Sequence, residues 1–249
     1  MRTITSTILI LIGATFVQAQ SIHNGEDLLR AMHERYQTTW YRTLIFEQKS
    51  TTYKPDGTSS AETWYEAVLL PGRLRIDVAP PEGGNGFVMV DGTLSIVKNN
   101  QVTATRPYVN MLLVLGFDVY GQDPETTIKV VKGEGFDLSK LHEEMWEGHP
   151  AYVVGPEDNS KGRQFWVSKD TLLFLRVIEP APSDAAKIDD IRFEDYHPLS
   201  GGWVAERVEV HSEGKMVFSE DYSDIRANVK LPPETFDPRQ FAGTHWEGK

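Results

Sequence analysis

RPYVNMLLVLGFDVYG (106–121) interrupts a chain that otherwise reads as strands. From Tyr108 to Leu115 only Asn110 is polar, and the run stops at Gly116 and Asp118. A membrane-spanning helix needs ~20 apolar residues, so the segment is too short to cross a bilayer. It is apolar all round, whereas a surface helix would show a polar face. Arg106 and Pro107 introduce it, with proline well placed in a first helical turn. As a helix, 107–119 would be ~20 Å long, enough to cross the mouth of a curved sheet. Such a segment is either a buried plug or a lid over something apolar.

The sequence on both sides supplies the sheet. Asn24 can cap a helix in NGEDLLRAMHERYQ, with Leu28, Leu29, Met32 and Tyr36 on one face. From Trp40 the period changes to two, and Trp40, Leu44 and Phe46 share one side of a half-buried strand. A KPDG turn (54–57), a strand from about Glu62 to Leu70, a PGR turn and the alternation Leu74, Ile76, Val78 follow. FVMV (87–90) and TLSIV (93–97) flank a DG turn as a hairpin, and QVTAT (101–105) continues the pattern. Beyond the apolar segment, Asp123 and Pro124 start a second short helix ending near Gly133. About seven further strands then run to about residue 224, and the tail LPPETFDP (231–238) is expected to be extended. The expected fold class is α+β, mainly β: one large curved antiparallel sheet, an incomplete β-barrel, covered by short helices.

The first nineteen residues form a separate object. Arg2 precedes the run ILILIGATFV (8–17), and Val17 and Ala19 suit a signal-peptidase site, so cleavage is expected after Ala19. An N-terminal membrane anchor is the alternative, although the run is shorter than a span. The remaining 20–249 is expected to be a single exported domain. The chain carries a net charge of −11, and losing Arg2 makes it −12. That balance argues against nucleic acid, which is bound through clustered Lys and Arg. With no cysteine there is no lipobox, no disulfide and no thiolate chemistry.

PGRLRID (71–77), VDGT (90–93), EGHPAYVVG (147–155), FWVSKDTLLFLRVIE (165–179) and LPPETFDP occur in the order seen in a known superfamily. The chain resembles the periplasmic outer-membrane lipoprotein carriers, LolA/LolB-like, over most of 25–238. The resemblance implies an incomplete barrel with a helical lid and a cavity for acyl chains of lipoproteins or other lipids. It further implies a soluble periplasmic monomer, with an inner-membrane lipoprotein-export transporter and an outer-membrane receptor as partners. Neither cofactor nor covalent chemistry is implied, so no enzyme is expected. Leu44, Phe46, Leu74, Ile76, Val109, Leu112, Leu113, Leu115 and Phe117 are the cavity or lid candidates. Arg42 falls roughly where the carriers place a lid-holding arginine, but the local sequence is too divergent to transfer that role. The superfamily also includes envelope sensors, so a same-fold interaction module with a self-filled cavity is the alternative, and an unrecognised hydrolase a third.

Other chemistry is weaker. HEEMWEGH (142–149) fails the zincin spacing because position 146 is Trp. GGNG (83–86) lacks the Lys-Ser/Thr of a phosphate loop. The acids of 189–196 and 219–224 alternate, which suits a solvated convex sheet face better than a calcium site. No metal site is expected.

Overall fold

The computed structural model describes residues 21–158, 162–181 and 184–242. The expected leader and its cleavage site lie outside these residues. Among the described residues, no helix is long and apolar enough to cross a membrane.

Helix α1 (Gly25–Tyr36) is capped by Asn24, whose side chain accepts from the Asp27 N–H, and it buries Leu28, Leu29, Met32 and Tyr36. Six strands follow: β1 (Thr43–Tyr53), β2 (Ser59–Leu69), β3 (Arg73–Val78), β4 (Asn85–Val90), β5 (Thr93–Lys98) and β6 (Gln101–Pro107). The β4–β5 turn has positive φ at both Asp91 (46°) and Gly92 (79°), the backbone of a two-residue type I′ hairpin. Next come α2 (Met111–Gly116), a 3-10 turn (Asp118–Tyr120) and α3 (Pro124–Gly133). The second block comprises β7 (Leu141–Trp146), β8 (His149–Val154), β9 (Gln164–Ser168), β10 (Phe174–Ala181), β11 (Asp184–Leu199), β12 (Gly202–Ser212) and β13 (Lys215–Ala227).

All thirteen strands join one antiparallel sheet in the order β6-β5-β4-β3-β2-β1-β13-β12-β11-β10-β9-β8-β7. The two blocks meet where β1 pairs with β13, and the sheet is open, ending at β6 and β7. One face is concave and carries the main core, with α1, α2 and α3 against it. Trp40 belongs to that core but precedes β1; it stacks on Tyr120 with ring centroids 3.9 Å apart.

Pro107 ends the edge strand β6 instead of opening a helix. At an edge its missing N–H costs no ladder bond. The helix begins four residues later, where the Asn110 side chain accepts from the N–H groups of Leu112 and Leu113. It has six residues, ~9 Å at 1.5 Å per residue, so it is far shorter than the apolar run. Phe117, at φ −138° and ψ −57°, breaks it. The tail also differs from an extended chain. It makes 3-10 turns at Pro233–Phe236 and Pro238–Gln240, each with proline in its first turn. These press Phe236 against Ile45 and Ala67, and Phe241 against Val88 and Val97, on the convex face.

Candidate ligand cavity

Between the concave face and the segment 106–113 lies a cavity of about 690 Å³. That is within the usual range for small-ligand sites, ~300–1,000 Å³. Strands β1 to β3 contribute Phe46, Val68, Leu74 and Ile76, and β11 and β12 contribute Ile191, Phe193 and Val210. Val109, Leu112 and Leu113 close it from the helical side. Period-two alternation explains the wall: the same phase of each strand faces inward.

Helix α2 is fastened at several points. Asp118 Oδ1 accepts from the Gly72 N–H at 2.9 Å, tying the following turn to the β2–β3 connection. Burial pushes that carboxyl up to about 7, opposed by the Gly72 hydrogen bond. Tyr120 Oη accepts from the Phe174 N–H at 2.8 Å. Gly116 lies directly on the sheet, since a Cβ there would sit 2.5 Å from Phe193 Cε2. The segment is therefore part core and part cavity wall.

Of the residues expected from sequence, Phe46, Leu74 and Ile76 line the cavity from the sheet. Val109, Leu112, Leu113 and Phe117 line it from the helical segment. Leu44 and Leu115 do not; both are fully buried in the core. Arg42 precedes β1, is exposed and lies outside the lining, with its backbone N–H donating to Asn228 Oδ1 at 3.1 Å. His142 lies in β7, and His149 opens β8.

The polar floor was not expected. Phe46 on β1 pairs with Glu66 on β2, Gln48 with Tyr222 on β13, and Ser50 with Glu220. Glu66, Gln48 and Glu220 thus step diagonally across three adjacent strands, and all three line the cavity with Tyr222. Tyr222 Oη donates to Glu220 Oε2 at 2.6 Å, and Gln48 Nε2 donates to Ser50 Oγ at 2.8 Å. Glu66 is only 5% exposed. Burial, and secondarily the charge of Glu220, raises its carboxyl well above the ordinary range. Burial likewise pushes Glu220 up to about 7, against hydrogen bonds from Tyr222 and Gln48. The acids of 219–224 are therefore not all on a solvated convex face. Asp221 pairs outward with Arg207, whereas Glu220 points inward. Asp189 also lines the cavity, beside Arg163 and Glu179, which form an ion pair. Burial raises Glu179 despite Arg163. Arg106 stands 5.2 Å from the Tyr108 ring centroid, both in the lining.

A sequence signal for this floor exists. Glu66 falls in phase with Trp64 and Val68, Gln48 with Leu44 and Phe46, and Glu220 with Phe218 and Tyr222. A polar residue in the apolar phase of a strand is the mark to look for.

The architecture has close parallels among solved structures. A DUF1329 family protein from Desulfovibrio piger matches with a TM-score of 0.55 at 16% identity, over 85% of this chain and 95% of that one. A LolA superfamily protein from Nitrosomonas europaea gives 0.56 at 14% identity, over 84% and 96%. A chain from Vibrio parahaemolyticus, named as a candidate outer membrane lipoprotein-sorting domain, gives 0.53 at 14% identity, over 88% and 98%. Identities this low speak to fold, and the fold is LolA-like. No protein-family model matches the sequence, and no curated protein does.

Proposed function

We propose that this protein is a periplasmic binder and carrier of acylated ligands, lipoprotein acyl chains foremost, which enter the cavity under α2. The observation that carries the proposal is the cavity of about 690 Å³, walled by apolar side chains from both strand blocks and from 109–113. Burial of a chain is favourable by ~0.8 kcal/mol per methylene, so ten methylenes outweigh a substantial association cost. In this reading residues 20–249 act as one exported lipid-binding domain, delivered by the leader and released after Ala19, and the protein works without covalent chemistry. The partners expected of a carrier, an export transporter and an outer-membrane receptor, belong to the same proposal.

The alternative of a sensor or interaction module predicts a cavity filled by its own side chains. The volume left between Phe46, Leu74 and Leu113 favours the binder. Hydrolysis has one observation in its favour, the raised carboxyls of Glu66 and Glu220. Native mass spectrometry of the purified protein separates the readings. A co-purifying lipid that exchanges with an added acylated peptide and is recovered intact supports the binder. Cleaved products support the hydrolase, and protein that takes up no chain supports the module.

A further inference from the structure

The floor of the cavity differs in chemistry from its walls. Glu66 is nine-tenths buried and faces the cavity, and among the described residues nothing hydrogen-bonds its carboxyl. Glu220 lies on the same diagonal and takes hydrogen bonds from Tyr222 and Gln48, which leaves Glu66 as the carboxyl without a donor. Burial alone favours the protonated acids; once ionised, a carboxylate only accepts hydrogen bonds, so the ionised corner holds acceptors in excess of donors. Burying an unpaired carboxyl opposes folding, and a second one nearby adds like-charge repulsion. Apolar side chains in the same strand phase would relieve both. The apolar walls of Phe46, Val68 and Leu74 run directly into this corner, giving it a place for a tail.

We propose that Glu66, Glu220 and Tyr222 form a head-group subsite that takes the primary ammonium of a single-chain amphiphile, its tail lying along the apolar wall. The ammonium brings three donors and a compact positive charge, matching what the corner lacks. A carboxylate head of the same length is repelled, and a hydroxyl head supplies one donor and no charge. The inference rests on the ligand-binding reading of the same cavity.

The test titrates the protein at pH 8 with decylamine and decanoate below their micelle concentrations and decanol below its solubility limit, following tryptophan fluorescence. Decylamine should bind about ten- to a hundredfold more tightly than decanol, as a charged hydrogen bond implies, and decanoate more weakly than decanol. Glu66→Gln and Glu220→Gln, isosteric changes that keep the packing, should bring decylamine to within about threefold of decanol measured on the same variant. Equal binding of the three ligands, or an amine preference that survives in the double variant, overturns the subsite while the cavity reading stands. Failure of all three to bind overturns the cavity reading and the subsite with it.

Discussion

Glu66 and Arg75 lie on neighbouring strands one residue out of register, and they face opposite sides of the sheet. Both are buried, yet their surroundings are opposites. On the convex side, Arg75 grips Asp77 through two hydrogen bonds of 2.8 and 3.0 Å. It also donates to the carbonyls of Thr235 at 3.2 Å and Phe241 at 2.8 Å, with the Phe241 ring centroid 4.0 Å away. That site is closed by the chain itself, and the tail is its lid. On the concave side, Glu66 faces the cavity with a like charge for a neighbour. A buried charge satisfied by its own chain holds structure together. One left to face a cavity costs stability, and its use must be sought in what the cavity takes in.

The largest effect is expected at Arg75. Arg75→Ala should cost about 3–5 kcal/mol, because it leaves Asp77 buried without its cation. Urea denaturation measures the loss, and proteolysis of the tail should rise with it. A cost below about 1 kcal/mol, the scale of an exposed pair, would erase the contrast. Gly116→Ala comes next, at about 1–3 kcal/mol, since the new Cβ overpacks against Phe193. Phe193 lines the cavity, so stability and ligand affinity should fall together.

Glu220→Gln should act in the opposite direction. Glu220 titrates near 7 in the folded protein against an ordinary value of 4.5. The native state therefore holds the proton better than the unfolded chain does. The contribution to stability is complete below about 4.5 and is lost as pH rises through about 7. Glutamine stays neutral throughout, so the variant should gain about 1–3 kcal/mol at pH 8 and almost nothing at pH 4. Equal gains at both pH values would mean that charge is not the cause. Arg207→Ala sets the lower end of the scale. Arg207 pairs with Glu209 at 2.8 Å and with Asp221, but its side chain is 28% exposed. The change in stability should stay within about 1 kcal/mol.

Much of this architecture was legible from residue order. Alternation marks the strands on both sides of the apolar segment, and Asn24 and Asp123 cap the helices that follow them. Local chemistry decides such features, so a local pattern can report them. The entry to the apolar segment was misread because proline suits both a first helical turn and an edge strand, and only pairing of Pro107 with Thr93 distinguishes them. The cavity floor was hidden for a different reason. Glu66 and Glu220 share one cavity floor because β2 and β13 flank β1, a consequence of sheet order that spacing along the chain does not carry. Their inward phase was readable, but charged residues were assigned by default to a solvated face. Leu44 and Leu115 show the converse: apolarity placed them inside, and only geometry separates core from cavity wall.

The central claim is that the cavity receives an apolar chain. A crystal structure with a terminally brominated decyl ligand tests it most directly, with Leu113→Asp as the paired variant. Bromine should lie between Phe46, Leu74 and Leu113 in the native protein, and no chain should be bound in a folded Leu113→Asp protein. Bromine bound elsewhere, or a native cavity that takes up no chain, would contradict the claim.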